Sequence, residues 1–227
     1  MPDTAKLLNW KPVSLPQPII LGGRYVTLEP LDASRHSKAL FEAVKGHDEL
    51  WTWLAAGPET SAAAMMDHLE RWQEGERAML FAIVPTRTGL AAGHASYMRI
   101  NPTHGVIEVG NVLFSPALQR TRAATEAMYL MARHAFEDLG YRRYEWKCNA
   151  QNDPSRRAAQ RLGFTFEGIF RQHMVAKDRN RDTAWFSMLD HEWPARKQAF
   201  ETWLNPANFD KRGNQLRSLV EIATSKA

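Results

Sequence analysis

The 227-residue chain holds one cysteine, Cys148. A disulfide framework or a multi-cysteine zinc site needs more than one, so both are excluded. The eight histidines are scattered, with no His-x-x-x-His pair on one helix, and no metal site is expected. No stretch approaches the roughly 18–20 apolar residues of a membrane span. The opening Met1-Pro2-Asp3-Thr4 lacks a basic run followed by an apolar one, so no secretory leader is expected and a reducing cytoplasm is the expected compartment. Internal repeats and low-complexity tracts are also missing.

Hydrophobic residues make up 44% and charged residues 24%, the balance of a folded globular chain. There are 29 Lys+Arg against 25 Asp+Glu, unevenly placed. Residues 119–181 hold 13 basic and 7 acidic residues, and the remainder 16 and 18. A basic block of this kind is either a solvated face or the footprint of an anionic partner.

Residues 1–22 carry Pro2, Pro12, Pro16 and Pro18, a spacing that predicts an extended arm. Arg24–Leu28 reads as a strand, and a short helix follows a cap at Asp32 or Ser34, with Ala39, Leu40 and Val44 on one face. A second helix follows Thr60-Ser61. Ala78–Val84, Leu90–Ile100 and Val106–Phe114 then form an antiparallel meander. From Arg122 to Leu139 apolar residues recur at helical spacing, and Gly140 supplies the stop. Tyr141–Cys148 is a strand, Asp153 caps a short helix with Pro154 in its first turn, and Phe164–Val175 and Thr183–Leu189 are strands joined by Lys177–Asp182. The central β-α-β is necessarily a parallel crossover. The fold class is therefore α/β, with a mixed sheet covered by helices and a further helix around Phe200, Trp203 and Leu204.

The strand-to-helix turn Gln119-Arg120-Thr121-Arg122-Ala123-Ala124 combines a helix N-terminus, small residues and two arginines, a combination that suits a phosphate or pyrophosphate. This segment resembles the Gln/Arg-x-x-Gly-x-Gly/Ala loop of the GCN5-related N-acetyltransferase (GNAT) superfamily, with Arg122 in place of the first glycine. A second segment, Asn152-Asp153-Pro154-Ser155 through Leu162-Gly163-Phe164, resembles the RimJ/RimL-like branch. The resemblance runs from about Arg24 to Trp193 and implies a mostly antiparallel sheet whose central parallel strands splay apart. It also implies an arm over 1–22, an acetyltransferase domain over 23–193 and a helical extension over 194–227.

The same resemblance implies acetyl-CoA as cosubstrate and an amine as acceptor, either a small molecule or a peptide N-terminus, attacking the thioester directly. Pyrophosphate would sit on the amides of Gln119, Arg120, Thr121, Arg122, Ala123 and Ala124, and the Arg122 side chain would reach a CoA phosphate. The pantetheine arm would pair around Val112, Leu113 and Phe114, with Asn152 bonding it or an ordered water. Glu108 would serve as general base or as a group recognising a cationic amine. The tyrosine that many members use as an acid is replaced by Ala159, which leaves Ser155 as the hydroxyl for the leaving sulfur, or as a support for its helix N-terminus. Trp51, Trp53 and Gly57-Pro58 fall where the acceptor pocket would be walled, while Cys148 reads as core.

A CoA-binding regulatory protein without turnover is the alternative, resting on Ala159 and Arg122. A nucleic-acid module is disfavoured, because strand alternation buries aromatics of the Tyr141–Lys147 segment. The terminal extensions could pack against a second subunit. The basic block is expected to serve CoA, and the acidic remainder with Glu108 to face a cationic amine.

Overall fold

A computed structural model describes residues 10–75 and 78–225; the beginning of the N-terminal arm, with Met1-Pro2-Asp3-Thr4, lies outside the described residues. Eight strands form one sheet: β1 (Leu21–Gly22), β2 (Val26–Pro30), β3 (Met79–Pro85), β4 (Gly93–Asn101), β5 (Val106–Phe114), β6 (Arg143–Asn149), β7 (Thr165–Ala176) and β8 (Arg179–Leu189). Their order is β1-β2-β3-β4-β5-β6-β8-β7, and β5–β6 is the parallel pair. The helices are α1 (Ala33–Val44), α2 (Ala62–Gly75), α3 (Arg122–Arg133), α4 (Asp153–Arg161), α5 (Trp193–Leu204) and α6 (Leu219–Thr224). None is long and apolar enough to cross a membrane.

Alternation along the strands divides the core between the two faces. On one face Leu40, Val44, Met65 and Leu69 of α1 and α2 bury Leu80, Ala82, Val84 and Leu113. On the other, α3 and α5 cover Phe81, Ile83, Ile107, Val109, Tyr144 and Phe186. Trp193 fixes α5 there, stacked on Phe136 with ring centroids 5.3 Å apart.

Three local expectations are corrected. The long helix does not continue regularly to Leu139: after Arg133 its turns widen over His134–Asp138, where the Tyr97 hydroxyl donates to the Met131 carbonyl at 2.6 Å. The cap of α4 is Asn152, whose Oδ1 accepts from the Ser155 amide at 3.1 Å, and Asp153 lies inside the helix. The connection between β7 and β8 is only Lys177-Asp178, both with left-handed φ (50° and 58°), as a two-residue hairpin turn requires. Arg179–Asp182 therefore continue β8, and Asp182 accepts from the Gln172 amide at 2.7 Å.

Candidate active site

β5 and β6 pair only from Val106↔Arg143 to Val109↔Trp146. Beyond that point they diverge, because each is held to a different neighbour. β6 follows β8 through Asn149, while β5 follows β4 to Phe114. A break in the β4–β5 register between Gly110 and Leu113 leaves residues 111 and 112 without a cross-strand partner. Asn111 takes φ 47°, and its carbonyl lies 2.9 Å from the Nδ1 of wholly buried His94. Burial holds that imidazole neutral, with its pKa lowered to about 4.

The cleft so opened is part of a cavity of about 1590 Å³. Glu108, Val112, Leu113, Phe114, Asn152, Ser155 and, apart from Ala123, the whole Gln119–Ala124 turn line it.

In that turn the work is divided among the amides. Gln119 and Thr121 donate back to Ser115 and Leu118, at 3.0 and 3.3 Å. The Ala124 amide is taken by Thr121 Oγ1, the cap of α3, at 3.1 Å. Among the described residues the amides of Arg120, Arg122 and Ala123 have no protein partner. Those of Arg120 and Arg122, residues that line the cavity, stand at the positive end of a 12-residue helix and form an anion cradle. The turn's left-handed residue is Arg120 (φ 60°), whereas Arg122 begins the helix. The position held by glycine in the resembling loop therefore needs no glycine here.

The Arg122 side chain makes a contact that the sequence did not foretell. Its guanidinium lies between the rings of Tyr25 and Phe209, 4.9 and 4.4 Å from their centroids. It thus ties the C-terminal segment to the turn, and Phe209 and Arg212–Gln215 become cavity wall. Arg161 adds a second cation at this end, stacked over Trp203 at 5.0 Å and donating to Thr125 Oγ1 at 3.2 Å. Sequence reasoning missed the segment because polarity alone does not say where a tail docks. The signal was the aromatic pair Trp203 and Phe209 at the start of an otherwise polar tail. Replacing Arg122 by Ala should cost about 1–2 kcal/mol in stacking. Proteolysis between residues 205 and 217 should accelerate, and an unchanged cleavage rate would refute the tether.

Ser155 Oγ accepts from the Trp146 indole at 3.0 Å, which leaves its own O–H to donate. Cys148 beside it is buried, and burial pushes its thiol up, away from a reactive thiolate. Trp51 is 2% exposed and packs against Gly57 and edge-on to His68, so it belongs to the core, whereas Trp53 reaches the cavity.

Glu108 lies on the opposite sheet face from α3, 5% exposed. Its Oε2 is 2.6 Å from Lys147 Nζ and 3.2 Å from Arg99 Nε. Lys147 is itself buried, 3.2 Å from Glu145 and stacked over the Trp185 ring at 3.8 Å. Burial raises the Glu108 pKa above the ordinary carboxylate value, opposed by Lys147 and Arg99. Oε1 faces Gly110, where a Cβ would stand 3.1 Å from it and 2.7 Å from Met98 Sδ. Only glycine leaves that oxygen open to the cleft. The expected acidic acceptor side is not observed. Arg99, Lys147 and Arg181 line the cavity there against Glu108 and Glu49. The excess of basic residues was legible, but not its position on two sides of one cleft.

Comparison with known proteins agrees with this architecture. Residues 26–165 match the acetyltransferase (GNAT) domain family. The crystal structure of a GCN5-related N-acetyltransferase from Brucella melitensis is 48% identical, covering 96% of this chain and 99% of that one, with a TM-score of 0.93. The "Uncharacterized N-acetyltransferase p20" of Bacillus licheniformis is 30% identical over 53% of this chain and 66% of its own length. The "Putative ribosomal N-acetyltransferase YdaF" of Bacillus subtilis is 23% identical over 75% of this chain and 92% of its own. A splayed parallel pair, an anion cradle on the helix that follows it and a family match over most of the sheet lead to one conclusion: the chain belongs to the GNAT acetyltransferase family.

Proposed function

We propose that the protein transfers the acetyl group of acetyl-CoA to a primary amine within a ternary complex. The observation that carries this reading is the cleft between β5 and β6 leading directly to the residues whose amides are free, Arg120 and Arg122. The residues fit the cosubstrate. The cradle with Arg120 and Arg161 suits its diphosphate, and the unpaired stretch 111–112 offers backbone to its amide-bearing arm. The Asn111 Nδ2, buried and without a partner among the described residues, supports an acceptor oxygen in the same cleft.

The amine nitrogen attacks the thioester carbonyl carbon and the C–S bond breaks. Glu108 Oε1, directly or through water, accepts the proton that the nitrogen loses. Ser155 O–H, held by Trp146, donates a hydrogen bond to the departing thiolate, which takes its proton from solvent, and Glu108 returns its own to solvent. Backbone donors beside Asn111 stabilise the oxyanion, a contribution typically worth about 10²–10³ in rate per donor. Positioning the two reactants supplies much of the remainder.

Thermal shift and thiol release with acetyl-CoA and an amine panel test the reading. Stabilisation by acetyl-CoA with amine-dependent thiol release is expected. Failure of acetyl-CoA to stabilise the protein would refute it, and stabilisation without turnover of any amine would favour a CoA-binding regulator.

A further inference from the structure

The face that carries Glu108 also carries a row of charged groups, fixed by register. Glu108 opposes Glu145 on β6, Glu145 opposes Ser187 and Lys147 opposes Trp185 on β8. Counting by twos along β8 brings Thr183 and Arg181 to the same face. Nearly every charge in the row is matched. Arg143 bonds Glu145 and Glu167, Lys147 pairs with Glu108 and Glu145, and Arg99 Nε forms an ion pair with Glu108 at 3.2 Å.

Arg181 is the exception. Among the described residues its guanidinium makes no hydrogen bond and no ion pair, although its Nε is buried and the residue lines the cavity. Neighbouring Asp182 does not serve it, since that carboxylate accepts from the Gln172 amide and from Asn180. The terminal nitrogens of Arg99 also lack a protein acceptor among the described residues. Both arginines act on one neighbourhood. His173, bonded to Thr183 Oγ1 at 2.9 Å, has its pKa lowered by burial and by the charge of Arg99, Lys147 and Arg181. The buried Nε of Arg181 without an acceptor is costly, and an anion supplied from outside removes that cost; Arg99, half exposed, keeps its terminal nitrogens available to the same anion.

We infer that the acceptor amine carries an anionic group, a carboxylate, which Arg181 and the free end of Arg99 bind while the amine faces Glu108. This deepens the acetyl-transfer reading and rests on it. Leu50, Trp53, Leu54 and Trp72 add apolar lining to the cavity, beside His47 and Glu49, and Met174 is the cross-strand neighbour of Arg181, so a hydrophobic side chain has surface to pack on near the polar groups. Lys177 Nζ donates to the Trp51 carbonyl at 2.8 Å, which ties the β7–β8 hairpin tip to the segment between α1 and α2. Two walls of the cleft are thus joined, a geometry that favours an amino-acid-sized acceptor over a polypeptide.

The test compares leucine, methionine and phenylalanine with their carboxamides in the thiol-release assay, with an acidic and a neutral N-terminal peptide as further arms. The carboxylates should exceed the carboxamides in kcat/KM by roughly 10- to 100-fold, as one or two charge-assisted hydrogen bonds provide. That ratio should fall toward one in Arg181→Met and Arg99→Met, and Arg181→Lys should restore part of it. Preference for the acidic peptide over the free amino acids would keep the anionic requirement and overturn the size argument. Carboxamides used as well as carboxylates would overturn the proposal and leave acetyl transfer intact. If acetyl-CoA binds but no amine turns over, calorimetric titration of the CoA complex decides: saturable binding of leucine and not of its amide supports the proposal, and binding of neither overturns it. If acetyl-CoA does not bind, the transfer reading fails first, and the proposal with it.

Discussion

Replacing Glu108 by Gln should lower kcat by about 10²–10⁴, the range that a positioned general base contributes, with acetyl-CoA affinity nearly unchanged. The side chain is amide-sized, so packing against Gly110 and Met98 is kept, while the proton acceptor and the charge facing Lys147 and Arg99 are lost. Acetyl-CoA binding should be spared because the cradle amides belong to a separate turn, ahead of α3. A fall in acetyl-CoA affinity matching the fall in kcat would show that the carboxylate serves binding. The pH profile gives a second check with a defined sign. A base works only when ionised, so activity rises with pH through the Glu108 pKa, which burial places above the ordinary carboxylate value. Lys147 is the nearer of the two cations that oppose this shift. Lys147→Met should therefore raise the pKa further and move the acidic limb of the profile to higher pH. A limb that stays in place would mean that another group titrates.

The sheet, its crossover and the turn that opens α3 were legible because each rests on a local signal. Strand alternation, helical periodicity from Arg122 onward and the small residues at 123 and 124 all act within a few residues of one another. The misread features depend on distant partners. The widening after Arg133 involves Tyr97 on β4, and the docked tail depends on Arg122 meeting Phe209, 87 positions away. Glu108 could be chosen from its place beside Gly110 on the central strand, yet its partners Lys147 and Arg99 are fixed by register alone. Arg181 was hidden differently. It sat in a basic run that reads as a solvated turn until the turn shrinks to Lys177-Asp178 and the rest becomes strand. Pairing over long sequence separation turns a charge pattern into a site, and a single sequence does not encode it legibly.

Glu126→Leu should be more destabilising than Arg122→Ala. Glu126 belongs to α3 and is 6% exposed, yet among the described residues its carboxylate has no basic partner. It accepts three backbone N–H groups instead, from Arg24 at 2.9 Å, from Tyr25 at 2.5 Å and from Val26 at 3.0 Å. The first strand pair is thereby anchored to the helix whose N-terminus forms the anion cradle. Gly23 permits the approach, since a Cβ there would lie 2.5 Å from the carboxylate carbon. Leucine fills most of the volume but leaves three donors without an acceptor, at a cost of about 1–3 kcal/mol for each that water does not reach. Partial rewetting at the partly exposed Arg24 and Tyr25 brings the expected loss to about 3–5 kcal/mol. For a chain of this size each kcal/mol lowers Tm by about 2–4 °C, so a drop of roughly 6–20 °C is expected. Glu126→Gln should recover part of it, because one of its two polar atoms still accepts. Hydrogen exchange separates this anchor from a general loss of packing. Amides 24–26 should lose protection in Glu126→Gln while those of β6 and β8 keep theirs. Uniform loss across the sheet would show that Glu126 acts through the core, not through the strand it holds.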